Sequence, residues 1–181
     1  MRAVIFLADG FEECEALIVV DILRRAGIET VMASIGEQLE VDSSRHIVVK
    51  ADAMAADVDY DSADLVILPG GRLGTEKLND SRIVLDTVMD FAADKMVAAI
   101  CAAPSILAGL GLLNEKKATC HPDYENQMAG AILTHGSVAV DGNIITGQGL
   151  GSTFDFAFAI VRNMVGEKKV AQIKKAICYK G

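Results

Sequence analysis

The chain has 181 residues, 51% apolar and 23% charged, with a net charge of −8. That length fills one substantial core and falls short of two ordinary domains, so a single domain over residues 1–181 is expected. The acidic balance argues against a nucleic-acid partner, and no run approaches the roughly 20 apolar residues of a membrane helix.

In chain order, residues 2–8 read as an apolar strand. The start, Met1-Arg2 followed by Ala3–Leu7, has the look of a leader peptide, but the apolar run is too short and Asp9, Glu12 and Glu13 follow it, so no leader is expected. A helix runs from about Glu12 to Ala26 with Ala16, Val20 and Leu23 on one face and Gly27 as its stop. Thr30–Ile35 is a second strand. Leu39–Val41 and Ile47–Lys50 suit a small hairpin around Asp42–Arg45. Asp64–Leu68 is a continuous apolar run, as expected of a parallel strand covered on both faces, and it ends in the turn Pro69-Gly70-Gly71.

A helical pattern over Ser81–Ala93 precedes the strand Val97–Ile100, after which Pro104 suits the first turn of a helix. His121-Pro122 sits at another helix start. Val138–Thr146 reads as a hairpin on the turn pair Asp141-Gly142. The loop Gly147–Gly151 leads into helices over Phe154–Val165 and about 167–177. Strand and helix alternate, so the expected fold is α/β, a doubly wound, mostly parallel sheet flanked by helices, with its ligand site at the carboxyl ends of the strands.

Cys101 falls on that edge. A thiol on a sharp strand-to-helix turn meets backbone N–H groups and a helix amino end, both of which favour the thiolate; a free Cys is also a common buried hydrophobe. Glu15, on the first helix, points toward the same edge if the helix packs on its apolar face. A carboxyl drawn into a partly apolar pocket stays protonated and can pass a proton to or from a thiolate. Glu12 and Glu13 read only as complements to the helix dipole. Gly70 and Gly71 leave amides unobstructed for a developing oxyanion, or simply make a tight turn. His121 is a candidate acid or base, whereas His46 and His135 read as structural.

Cys14, Cys101, Cys120 and Cys178 show no CxxC spacing, so neither a zinc site nor a disulfide framework is indicated, and a reducing cytoplasmic location is expected. Gly147–Gly151 is not the dinucleotide fingerprint, and no G-x-S-x-G elbow occurs. No cofactor and no metal are expected.

Several segments together resemble the ThiJ/PfpI superfamily: Leu7–Glu15, Asp21–Gly27, Leu68–Gly71, Ala99–Pro104, His121-Pro122 and Phe154–Val161. The resemblance spans nearly the whole chain and is nearest to the parkinsonism-associated protein deglycase and bacterial ThiJ-like chaperone branches. It implies a flavodoxin-like, class I glutamine amidotransferase-like fold, with Cys101 as nucleophile, Glu15 as partner acid, amides of Gly70, Gly71 and Ala102 on the oxyanion side, and His121 lining the pocket. It also implies a homodimer through the first helix, with Arg24, Arg25 and Arg45 near the interface and the site rim. Ala102 stands where protease-like members carry His, which argues against a Cys–His peptidase. The implied activity is glutathione-independent conversion of methylglyoxal or glyoxal to lactate or glycolate, or removal of the same groups from glycated proteins. The alternative is a redox sensor or chaperone working through oxidation of Cys101, with Cys120 either a resolving thiol or a core residue.

Overall fold

The computed structural model describes residues 1–180. Its first half contains β1 (Arg2–Leu7), α1 (Glu13–Ala26), β2 (Glu29–Ser34), β3 (Glu40–Asp42), β4 (Val48–Lys50), β5 (Ala53–Met54), β6 (Leu65–Leu68), α2 (Arg72–Asp80) and α3 (Arg82–Asp94). There follow β7 (Met96–Ile100), α4 (Pro104–Gly109), β8 (Lys117–Ala118), β9 (Ile132–Leu133), β10 (Val138–Asp141), β11 (Ile144–Gly147), α5 (Thr153–Val165) and α6 (Glu167–Ala176).

Seven strands form one sheet in the order β10-β11-β7-β6-β1-β2-β5. Neighbours run parallel except β10 and β11, the hairpin turned at Asp141-Gly142. The five inner strands follow the doubly wound 2-1-3-4-5 order of flavodoxin-like folds. Their apolar runs do not alternate with polar residues because helices cover both faces. On β1, Ala3, Ile5 and Leu7 pack into the core shared with α1, α5 and α6. The intervening Val4 and Phe6 pack into the second core, with α2, α3 and α4. Gly27 ends α1 with φ +83, its amide donating back to Arg24 and Leu23 carbonyls, a conformation that suits glycine. Among the described residues no helix is long and apolar enough to cross a membrane.

Between Gly71 and Ser81, where the sequence suggests only a turn and a link, the chain forms α2. Of its nine residues only Gly74, Thr75 and Leu78 are buried, so it carries no apolar stripe to read. The helix after Pro104 stops within six residues. The helix start at His121-Pro122 is a 3-10 segment, Pro122–Gln127. The small hairpin forms as β3 and β4 with Asp42–Val48 pairing at its mouth. The loops after β1, β6 and β7 meet at one sheet edge, beside the switch point between β1 and β6 where such folds bind ligands.

Candidate active site

Cys101 follows β7 directly and adopts φ +67, a left-handed backbone that costs a non-glycine residue of order 1–3 kcal/mol. Two backbone hydrogen bonds hold it there: its amide donates to the Gly147 carbonyl at 3.0 Å, and its carbonyl accepts from the His121 amide at 2.8 Å. The turn sends the side chain across the edge toward Gly70. A Cβ added at Gly70 would lie 2.6 Å from Cys101 Cβ and 3.1 Å from Sγ, and would overlap Glu15 Oε2. Gly71, with φ +89, runs equally close to the backbone of Gly10–Glu12. The backbone amides of Ala102 and Gly71 favour the thiolate of Cys101.

Glu15, on the first turn of α1, is 1% exposed. Its Oε2 accepts the Gly70 amide at 3.0 Å, so that amide serves the carboxyl, while Gly71 and Ala102 face the sulfur. Burial pushes the Glu15 carboxyl up to about 7; hydrogen bonds from Cys101 and Gly70 oppose this, and the Glu12 charge adds to it. Burial, then the charge and hydrogen bond of Glu15, push the Cys101 thiol up to about 12. The Ala102 and Gly71 amides favour the thiolate, as the sequence suggested, but burial and a carboxylate outweigh them. Glu15 opposes ionisation of Cys101, whereas the thiol's hydrogen bond favours the carboxylate, so between these values the pair holds one proton, carried by the sulfur.

Cys101 lies at the junction of two lobes of an open cleft. The larger, of about 1300 Å³, extends between α2, α4 and the 3-10 segment; the smaller, of about 650 Å³, extends toward Gln148–Ser152. His121 lines both lobes. Its Nδ1 accepts the Asp123 amide at 3.3 Å, which places the proton of a neutral ring on Nε2. The imidazole therefore offers the cleft a donor. Arg45 also lines both lobes. Arg24 and Arg25 are engaged elsewhere, Arg24 with the Thr30 carbonyl and Asp52, Arg25 with Asp21. Cys120 is buried in the second core, its thiol donating to the His121 carbonyl. His46 and His135 pair with Asp42 and Glu125.

Sequence reading misses two contributors. Glu12 reaches both lobes, and its Oε2 accepts the Ser44 hydroxyl at 2.8 Å. Ser44 has no neighbouring motif to mark it. Glu12 stands three residues before Glu15, a spacing that puts both on one helix face and that carries the missed signal.

A flavodoxin-like sheet that presents a strained cysteine after its fourth central strand, paired with a buried glutamate from the first helix, defines a cysteine–carboxylate member of this fold class. The pattern of the DJ-1/PfpI family matches residues 1–163, and the chain belongs to that family. It is 36% identical over 184 residues to the Danio rerio "Parkinson disease protein 7 homolog", covering 99% of this chain and 97% of the relative. It is 29% identical over 171 residues to the Caenorhabditis elegans "Glutathione-independent glyoxalase DJR-1.2", covering 92% and 90%. The solved structure of "Toxoplasma gondii DJ-1, oxidized" superposes with a TM-score of 0.95 at 32% identity, over 99% of each chain.

Proposed function

We propose that the protein converts small reactive 2-oxoaldehydes to 2-hydroxy acids through Cys101, without glutathione. The observation that carries this reading is the half-buried Cys101 thiol set beside the buried Glu15 carboxyl at the floor of an open cleft. Glu15 takes the thiol proton as the Cys101 sulfur adds its electron pair to the aldehyde carbon of methylglyoxal. The carboxyl gives its proton to the new alkoxide, forming a hemithioacetal. Glu15, now a carboxylate, takes the proton from that carbon, leaving an enediolate. Returning the proton to the adjacent carbon, while the hydroxyl proton passes to the neighbouring oxygen, yields a lactoyl thioester. Water then cleaves the thioester to lactate and restores the thiol and the shared proton. Gly71 and Ala102 amides lie where they stabilise charge near the sulfur, and His121 Nε2–H supplies a donor from the cleft wall. A relative named as a glutathione-independent glyoxalase supports the reading. The same steps act on hemithioacetals and aminocarbinols carried by proteins, for which an open cleft leaves room.

The test is lactate formation from methylglyoxal by the purified protein. Cys101→Ser and Glu15→Gln each bring turnover close to nil, and unchanged turnover in either variant rejects the mechanism. We take the working form to be a homodimer through α1, where Leu17 remains exposed beside the α5 surface carrying exposed Phe154. A monomer in sedimentation at working concentration refutes that part.

A second reading, sensing by oxidation of Cys101, is favoured by the similar Toxoplasma gondii structure, which is described as "oxidized". Mild peroxide then adds two oxygens at Cys101 alone. Oxidation spread over all four cysteines counts against it.

A further inference from the structure

Glu12 precedes α1 as its N-cap residue, yet its side chain makes no capping hydrogen bond. The carboxylate is turned instead into the cleft, where its Oε2 accepts the Ser44 hydroxyl. Ser44 is fixed in turn by its amide, which donates to the Phe11 carbonyl at 2.8 Å. Glu12 and Glu15 stand three residues apart, on one helix face, and both line the smaller lobe beside Cys101. The Gly70 peptide ties them together: its carbonyl accepts the Glu12 amide at 2.9 Å, and its amide donates to Glu15 at 3.0 Å. Ser44 hydroxyl, the partner of Glu12, is neutral. Arg45, the nearest cation in chain order, spends a guanidinium N–H on the Ser44 carbonyl.

We infer that Glu12 is a positioning residue of the Cys101–Glu15 pair: a carboxylate aimed by Ser44 that keeps the shared proton on the pair. A negative charge one turn away disfavours a second negative charge on the pair, so the proton needed to quench the first alkoxide is retained at neutral pH. From other elements, Arg45 and His121 line the smaller lobe with this pair, and Asp9, Asp42, His46, Arg72, Glu76 and Asp123 line the larger one. Glu13 shares the Ser44 hydroxyl at 3.2 Å. The inference rests on the proposed carbonyl chemistry only for the task it gives the pair, and its test reads the thiol itself.

The experiment follows the rate of Cys101 alkylation by iodoacetamide against pH, in the full chain with the exposed Cys14 and Cys178 replaced by Ser. Glu12→Gln is expected to move the lower step of the profile down by about half a pH unit or more, the scale for two carboxylates one turn apart in a partly dehydrated cleft. Glu12→Asp, which keeps the charge, restores the parent profile. A Glu12→Gln profile that coincides with the parent overturns the inference, as does an Asp variant shifted as far as Gln. Should Glu12→Gln fail to fold by circular dichroism, Ser44→Ala takes its place: a downward shift supports the role and an unmoved step overturns it. A shift without any methylglyoxal turnover defeats the proposed activity and leaves this inference standing; turnover without a shift does the reverse.

Discussion

Gly70→Ala adds one methyl group where the site has no room for it. The new carbon would sit 2.6 Å from Cys101 Cβ and 3.1 Å from its sulfur, with Glu15 Oε2 closer still. Backbone conformation is not the obstacle, since Gly70 lies outside the left-handed region. Neither neighbour can yield freely. Glu15 is 1% exposed, and the Cys101 turn is pinned by Gly147 and His121. Overpacking of this kind costs about 1–3 kcal/mol, and losing the Gly70–Glu15 hydrogen bond adds roughly 1.5–3 kcal/mol when the carboxyl is charged. For a chain of this size each kcal/mol moves Tm by about 2–4 °C, so calorimetry should record a fall of roughly 5–20 °C. Turnover falls further, because a displacement of about 1 Å between reacting groups costs on the order of 10²-fold. Gly151→Ala is the control, at the same end of the cleft with nothing within 4 Å of the added carbon, and it stays within about 0.5 kcal/mol of the parent. If Gly70→Ala matches that control in both melting and lactate formation, the close approach of Gly70 to the pair does not govern the site.

Glu15 gives a pH signature in stability. Its folded value near 7 lies above the ordinary 4.5, so the folded state holds the proton longer than the unfolded one, and stability is lost as pH rises from about 4.5 through about 7. That loss is on the order of 3 kcal/mol; Glu15→Gln should remove the slope in urea melts and exceed the parent in stability at pH 8 while lacking turnover, and a parallel slope in the variant refutes the assignment. His121→Asn keeps a side-chain acceptor for the Asp123 amide but no imidazole. We expect kcat/KM to fall by roughly 10–100-fold, with Tm nearly unchanged; a loss as complete as that of Cys101→Ser would make His121 an obligatory proton carrier.

The sheet was legible because parallel strands announce themselves as unbroken apolar runs: Leu65–Leu68 and Val97–Ile100 need no partner to be recognised. α2 was not, since a helix that buries one leucine and two small residues leaves no period. At the site, Cys101 and Glu15 could be picked from a turn and a helix face. The sign of the thiol's shift could not. Sequence displays the amides of a following turn, but it does not display that the carboxyl opposite is sealed from water, and that burial outweighs two N–H groups. The Gly70 amide likewise looked free for a substrate oxygen until Glu15 was seen to occupy it. In the sequence Glu12 is a carboxylate at a helix start with an ordinary explanation in the dipole; only its missing cap bond and its contact with Ser44 set that explanation aside.

The left-handed backbone at Cys101 also bears on how the protein can be engineered. Glycine occupies that conformation without the penalty a side chain incurs. A library enriched for heat resistance alone is thus drawn to glycine at position 101, toward a tougher protein with no sulfur in its cleft. Stability and chemistry pull on this one residue in opposite directions, so any directed-evolution scheme for a hardier version must score thiol reactivity in the same round as survival.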